Sequence, residues 1–123
     1  MRIGVTGSSG FLGSHLTKAL RQYTDAEITV LQRNSSENFP TINELGSFVH
    51  DLNLIYHIAG VNRGTNEEIL RGNIEATFNL VEAIKKSKKP SPRIIFTSSS
   101  QVYKPLAQSG RLINESHKTE PAT

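Results

Sequence analysis

The sequence contains no cysteine among its 123 residues. This excludes disulfide bonds, thiol catalysis and cysteine-bound zinc, and it favours a cytoplasmic location, since disulfides belong to oxidising compartments. A run of about 18 apolar residues is also missing, so we predict no membrane-spanning helix. The chain begins with a strand-like run instead of a basic stretch followed by an apolar one, and we therefore expect no secretory signal.

Charge is modest, with 20% charged residues against 36% hydrophobic ones. These values are typical of one globular domain, which we expect to cover residues 1–123. The net charge of +3 is compatible with anionic ligands such as nucleotides but is too small to indicate nucleic-acid binding. The densest basic cluster, at residues 85–89, contains no aromatic residue and is typical of a solvated helix end. The four histidines are dispersed, so we predict no metal site.

Short β-rich runs alternate with helical stretches along the chain. Such an alternation indicates βαβ units and predicts an α/β fold with a Rossmann-like, doubly wound parallel sheet of about four to five strands. In sheets of this kind ligands bind beyond the carboxyl ends of the strands. The predicted strands are residues 2–6, 27–31, 54–59 and 93–97, and the predicted helices are residues 11–23, 41–50 and 67–86.

A glycine loop follows the first strand and opens the first helix, with the sequence TGSSGFLG at residues 6–13. Gly7 permits a tight turn, Gly10 lets the backbone approach a pyrophosphate, and Gly13 lets the helix pack close to the sheet. The helix N-terminus then offers N–H groups and a positive dipole end to the phosphates. The loop therefore predicts dinucleotide binding, with a tight strand-to-helix turn that binds nothing as the alternative.

Three further motifs follow in order: HIAG at residues 57–60, NIEAT at residues 73–77 and TSSSQVY at residues 97–103. Together with the glycine loop they resemble the extended short-chain dehydrogenase/reductase family, which includes sugar-nucleotide epimerases, dehydratases and reductases. We interpret the buried-strand residue His57 as structural. The resemblance implies these cofactor-binding residues: Gly7, Ser9, Gly10, Phe11, Leu12, Gly13, Ile58, Ala59, Gly60, Val61, Asn73 and Thr97.

The second predicted strand ends without an acidic residue. In dinucleotide-binding folds an acid at this position binds the adenosine ribose of NAD, whereas an arginine accommodates the 2′-phosphate of NADP. Gln32 stands where an acid would favour NAD, and the guanidinium of Arg33 can bind a phosphate through two parallel hydrogen bonds. The sequence therefore favours NADP over NAD, with an ordinary exposed arginine as the alternative for Arg33.

The stretch at residues 34–53 departs from the family pattern, because it is too short for a helix followed by a well-formed strand. The family places there a strand that ends in an adenine-contacting aspartate. Asp51 is a weak candidate for that role, so adenine recognition is left open. With this shortened lead-in, residues 57–63 resemble the capsular-polysaccharide sugar-nucleotide reductases, which use NADPH.

The resemblance also implies a catalytic hydroxyl. A serine or threonine four residues before the tyrosine of the Val-Tyr signature binds the reacting sugar oxygen in the family, and Ser99 holds that position. The alternative is a serine-rich strand end that satisfies local backbone groups. The family's acid/base motif, Tyr-x-x-x-Lys, is absent, since none of the three tyrosines is followed by a lysine four residues on. The resemblance therefore implies that residues 1–123 are an incomplete, truncated NAD(P)-binding domain of a longer protein, without the C-terminal substrate-binding part.

Two functions remain open. The first is an NAD(P)-dependent sugar-nucleotide epimerase or reductase, in which a hydride passes between nicotinamide and a sugar carbon. Ser100 and Gln101 stand where 4,6-dehydratases carry acids, which argues against a dehydratase. The second is a non-catalytic dinucleotide-binding module whose exposed apolar faces require a partner chain. The expected partners are a nucleotide sugar and, as one option, a second copy in a homodimer.

Overall fold

Four parallel strands form the centre of this computed structural model, which describes residues 1–32, 40–87, 89–106, 110 and 112–121. The strands are β1 (Arg2–Thr6), β2 (Glu27–Val30), β3 (Leu54–His57) and β4 (Arg93–Phe96). Their order across the sheet is β2-β1-β3-β4. The chain thus winds outward from β1 in both directions, which confirms the predicted parallel α/β sheet and places a topological switch point between β1 and β3.

The structure describes four α-helices, two of which start with a capping box. They are α1 (Phe11–Tyr23), α2 (Ile42–Val49), α3 (Asn66–Leu70) and α4 (Ala76–Lys86), with a π-helical turn at Arg71–Glu75 and a 3-10 turn at Ser100–Val102. Capping boxes start α2 and α3, where Thr41 pairs with Glu44 and Thr65 with Glu68. The threonine N–H donates to the glutamate carboxylate in each box and lowers the pKa of Glu44 and Glu68.

Alternation along the strands divides the core between the two faces of the sheet. Ile3 and Val5 of β1 are buried in one cluster with Leu20 of α1. Gly4 points the other way, where an added Cβ would lie 2.8 Å from Cζ of Phe48. That second cluster joins α2, α4 and the sheet through Leu45, Phe48, Val49, Leu52, Ile55, Leu80, Ala83 and Ile84. Helices therefore cover both faces, as a doubly wound sheet requires.

Three strands are shorter than predicted at their carboxyl ends. β2 ends at Val30, β3 at His57 and β4 at Phe96, whereas the sequence pattern extended them to residues 31, 59 and 97. The apolar run continues past the last strand residue in each case, but the chain there leaves the sheet. Within residues 40–53, the described part of the shortened stretch, α2 forms and no strand does.

Asp51 lies at the amino edge of the sheet, opposite the carboxyl ends of the strands. Its carboxylate is 3.7 Å from the Arg2 guanidinium and 3.2 Å from the Lys89 ammonium, next to the starts of β1 and β4. The hydrogen bond from Lys89 and the charges of His50 and Arg2 lower the pKa of Asp51. This position removes Asp51 as a candidate for adenine contact, because dinucleotides bind at the other edge.

Apolar side chains are exposed on β4. Ile94, Ile95 and Phe96 are 39%, 41% and 58% exposed. Successive strand residues face opposite sides, so both faces of β4 are incompletely covered by the described residues. A second exposed apolar row runs along the α3–α4 segment at intervals of four residues, at Leu70, Ile74 and Phe78.

No helix in the described ranges combines the length and the apolar character that crossing a membrane requires.

Candidate functional site

A crevice of about 1040 Å³ opens at the carboxyl ends of β1 and β3. Its position is the switch point of the sheet, and its volume suits a large ligand. The loop after β1, the end of β2 and the loop after β3 form its walls. The residues predicted from the sequence that line it are Gly7, Ser9, Gly10, Phe11, Leu12, Gly13, Gln32, Ile58, Ala59, Gly60, Val61 and Thr97. Arg33, the remaining cofactor-preference residue, lies outside the described residues.

The three glycines of the loop meet different structural requirements. Gly7 has a φ of 72°, and an added Cβ would lie 2.7 Å from the backbone N of Ala59. An added Cβ on Gly13 would overlap the carbonyl oxygen of Gly7. Gly10 differs from both, because its nearest contact would be an ordinary 3.4 Å. Gly7 and Gly13 are therefore required by internal packing, whereas the space beside Gly10 stays open toward the crevice.

The N-terminus of α1 faces this open space. No described side chain caps Gly10, and no acidic residue lies in the first turn. The first intrahelical bond runs from the N–H of Ser14 to the carbonyl of Gly10, at 2.9 Å. The preceding N–H groups, at residues 11–13, thus remain for a ligand together with the positive end of the helix dipole. Such an end fits a pyrophosphate.

A buried histidine lies beneath the crevice. The Oγ1 of Thr6 is 2.7 Å from Nδ1 of His57, and Nε2 of the same ring is 3.0 Å from Oγ1 of Thr77. His57 is 3% exposed, and burial lowers the pKa of its imidazole, which keeps the ring neutral near pH 7. These contacts join the end of β1, the end of β3 and α4.

Asn73 supports the crevice wall without lining it. Its side-chain amide donates to the carbonyl of Val61 at 2.7 Å and accepts from the Val61 N–H at 3.0 Å. The amide also donates to the carbonyl of Ile69 at 2.9 Å. Because this side chain occupies a carbonyl of the preceding turn, the helix widens, and the N–H of Ala76 reaches back five residues to Arg71.

The π-helical turn corrects the predicted continuous helix at residues 67–86. The apolar spacing there fits a regular helix, and the side-chain insertion that interrupts it leaves no mark on that spacing.

The serine cluster after β4 divides between two roles. Thr97 and Ser98 line the crevice, and the hydroxyl of Thr97 donates to the carbonyl of His57 at 3.3 Å. Ser99 starts the 3-10 turn, where its Oγ accepts from the N–H of Gln101 at 3.2 Å. Ser99 is outside the set of residues that line the crevice, so its contact with a sugar stays a prediction.

Part of the crevice wall was not predicted from the sequence. The missed lining residues are Thr6, Ser8, Val30, Leu31, Pro40, Leu45, His57, Gly72, Ala76, Leu80 and Ser98. Gly72 and Ala76 carry a usable signal, since two small residues four apart leave room on one helix face. Leu45 and Leu80 carry none, because they look like ordinary core residues. Within the described ranges, no group of three His, Asp or Glu side chains could hold a metal ion.

Comparison with known proteins identifies the family to which the chain belongs. Residues 3–123 match the model of the NAD dependent epimerase/dehydratase family. A UDP-2-acetamido-2,6-beta-L-arabino-hexul-4-ose reductase of Pseudomonas aeruginosa is 34% identical over 102 residues, which are 82% of this chain and 26% of the reductase.

Two solved structures share the fold with a TM-score of 0.73 each. RMD from Pseudomonas aeruginosa, complexed with NADPH, is 27% identical, and the match covers 98% of this chain and 43% of RMD. Uronate dehydrogenase from Agrobacterium tumefaciens, solved as a mutant with NAD, is 26% identical. The match covers 98% of this chain and 48% of the dehydrogenase. The chain thus spans between a quarter and a half of these relatives. It belongs to the NAD dependent epimerase/dehydratase family.

Proposed function

We propose that the protein is an NAD(P)-dependent sugar-nucleotide epimerase or reductase and that this chain is its cofactor-binding portion. The observation that carries the proposal is the open space beside Gly10, which faces the uncapped N-terminus of α1. Nicotinamide, when bound, supplies the hydride chemistry. The N–H groups of residues 11–13 would hold the pyrophosphate, and the Gly60–Val61 backbone would flank the dinucleotide. Ser99 would hold the reacting sugar oxygen.

Dinucleotide binding tests the cofactor part directly. We expect NADPH fluorescence to change saturably on titration with the chain, and excess ADP-ribose to reverse the change. A spectrum that stays unchanged throughout the titration would contradict a cofactor site. Free adenine serves as the control, because it lacks the pyrophosphate that the α1 N-terminus is expected to bind.

The catalytic part requires a different test, because none of Tyr23, Tyr56 and Tyr103 begins a Tyr-x-x-x-Lys motif. The second candidate function is a dinucleotide-binding module without catalysis, whose exposed apolar residues on β4 would pack against a partner chain. A gene that encodes Tyr-x-x-x-Lys within about ten residues after Thr123 would support the enzyme. We expect the chain alone to bind cofactor and to show no hydride transfer to nucleotide sugars. Turnover by the chain alone would refute the assignment of the missing acid/base.

Two observations support the proposed preference for NADP. Gln32 lines the crevice without a negative charge that would repel a 2′-phosphate. A second groove of about 560 Å³ shares Ser8 and Val30 with the crevice, and Lys18 and Arg21 line it. Basic side chains therefore flank the crevice on the side of β2, where the adenosine ribose lies in related folds.

Replacing Arg33 with alanine should weaken NADPH binding about tenfold and leave NADH binding nearly unchanged, since a charge-assisted hydrogen bond contributes about 1.5–3 kcal/mol. Lys18→Ala tests the contribution of the second groove. Arg93→Ala is the matched control, because Arg93 is exposed and lies on β4, at the opposite side of the sheet from β2. Dissociation constants for both cofactors measure the effect. Tighter binding of NADH than NADPH by the unaltered chain would refute the preference.

We also propose a cytoplasmic homodimer, consistent with the absence of cysteine. The exposed row of Leu70, Ile74 and Phe78 supports a helical interface between two copies. Sedimentation velocity measures the mass, and we expect Ile74→Glu to shift it from dimer to monomer. A monomer before substitution would contradict the dimer.

A further inference from the structure

A chain of hydrogen bonds connects the two loops that flank the crevice. It starts at the N–H of Ala59, which donates to Oγ1 of Thr6 at 3.2 Å. It continues through the His57 ring to Thr77, whose hydroxyl donates to the carbonyl of Asn73 at 2.7 Å. Asn73 then holds Val61 through its side-chain amide. The path therefore leads from the residue before Gly7 to the loop after β3.

The donor and acceptor of each hydrogen bond in this chain follow from the single hydrogen of the Thr77 hydroxyl. The hydroxyl of Thr77 has one hydrogen and donates it to the Asn73 carbonyl, so Thr77 must accept from Nε2–H of His57. Nδ1 is then the acceptor, and the Thr6 hydroxyl donates to it. The oxygen of Thr6 keeps a lone pair for the Ala59 N–H. One tautomer alone, neutral with the proton on Nε2, satisfies all of these partners.

We propose that His57, with Thr6 and Thr77, is a positioning residue that sets the separation of the glycine loop from the Ala59–Val61 loop and thereby shapes the cofactor crevice. The inference rests on the proposed function. Thr6 directly precedes Gly7, which packs against the Ala59 backbone, so a displaced Thr6 moves both walls. Described side chains bonded to or stacked on the ring are Thr6 from β1, Thr77 from α4 and Phe96 from β4, and none of these titrates.

Thr77→Val tests this role, because valine keeps the shape of threonine and removes the hydroxyl. We expect the dissociation constant for NADPH to rise about tenfold, as for one lost buried hydrogen-bond network. Thr77→Ser restores the hydroxyl and should return the constant to within about twofold. Ser87→Ala is the matched control at the C-cap of the same helix, since it removes a hydroxyl that donates to the Ile84 carbonyl at 2.7 Å. Unchanged binding by Thr77→Val, or equal weakening by Ser87→Ala, would overturn the proposal.

Nuclear magnetic resonance of ¹⁵N-labelled histidine tests the proton arrangement without any cofactor. We expect His57 to show a protonated Nε2 and a bare Nδ1 at pH 7, and the amide signals of Ala59 and Val61 to move in Thr77→Val. The opposite tautomer, or amide signals of Ala59 and Val61 that do not move in Thr77→Val, would overturn the positioning role. If the signals behave as expected while no dinucleotide binds, the proposed function fails and the positioning of the two loops stands.

The same arrangement predicts a pH dependence of stability. Burial lowers the pKa of His57 from 6.5 in the folded chain, so below pH 6.5 the unfolded chain binds a proton first. The contribution of neutral His57 is therefore complete above pH 6.5 and is lost progressively as the pH falls toward the folded-state pKa. Urea unfolding between pH 8 and 5 measures this, with His57→Gln as the comparison. An equal pH dependence in both proteins would show that His57 is not its source.

Discussion

Replacing Gly13 with alanine is expected to destabilise the chain by about 1–3 kcal/mol and to abolish dinucleotide binding. The new Cβ would overlap the carbonyl oxygen of Gly7 and lie 2.9 Å from Cα of Ser8. Both are backbone atoms, so no side-chain rotation can relieve the overlap, and α1 must move away from the loop. Urea unfolding measures the stability, and NADPH titration measures the binding.

Gly46→Ala is the control with the opposite expected sign. Gly46 lies inside α2, and an added Cβ would meet no atom within 4 Å. Alanine at a helix interior is favoured over glycine by about 0.5–1 kcal/mol, so this variant should be more stable and bind normally. Normal NADPH binding by Gly13→Ala would contradict the close packing of the helix against the loop.

Asn73→Ala is expected to cost about 3 kcal/mol of stability, at about 1 kcal/mol for each hydrogen bond that its amide makes to Val61 and Ile69. The Val61 loop would lose its anchor, so NADPH binding should weaken by at least about tenfold. The freed Ile69 carbonyl would also permit a regular α-helical turn, because the inserted side chain that widened the helix is gone.

Unfolding, cofactor titration and amide exchange through residues 71–75 measure these effects. Asn66→Ala, an exposed change at the start of α3, should alter the free energy of unfolding by no more than about 0.5 kcal/mol. If Asn73→Ala keeps full affinity while Asn66→Ala loses it, the anchoring role assigned to Asn73 is wrong.

The cofactor loop could be predicted because glycine reports directly on backbone geometry. Gly7 needs a positive φ and Gly13 needs a close approach, and each requirement excludes a side chain, so the spacing of glycines encodes the turn. Parallel topology was equally accessible, since strands separated by helices leave few alternatives. Family motifs then pointed to Asn73, although a sequence match does not show that this side chain acts through Val61.

Other features depend on tertiary contacts that a linear pattern does not contain. The π-helical turn arises from one side chain bonded to Ile69, and the apolar spacing around it is that of a regular helix. The orientation of the Ser99 side chain follows from the hydrogen bond that its Oγ accepts from the Gln101 N–H. Alternation of side chains along a strand does not predict that bond. Asp51 was a weak candidate for adenine contact, yet its carboxylate binds Lys89 at the amino ends of the strands, away from the crevice.

The incompletely covered strand β4 has a consequence for behaviour in solution. Among the described residues β4 pairs only with β3, so its other edge is open, and its residues Ile94, Ile95 and Phe96 are exposed and apolar. An apolar edge of this kind is a template for intermolecular β-pairing. Light scattering should therefore rise with protein concentration, and Ile95→Lys should suppress the rise. Affinity and unfolding measurements on the chain belong in the micromolar range, where this self-association does not compete with the ligand.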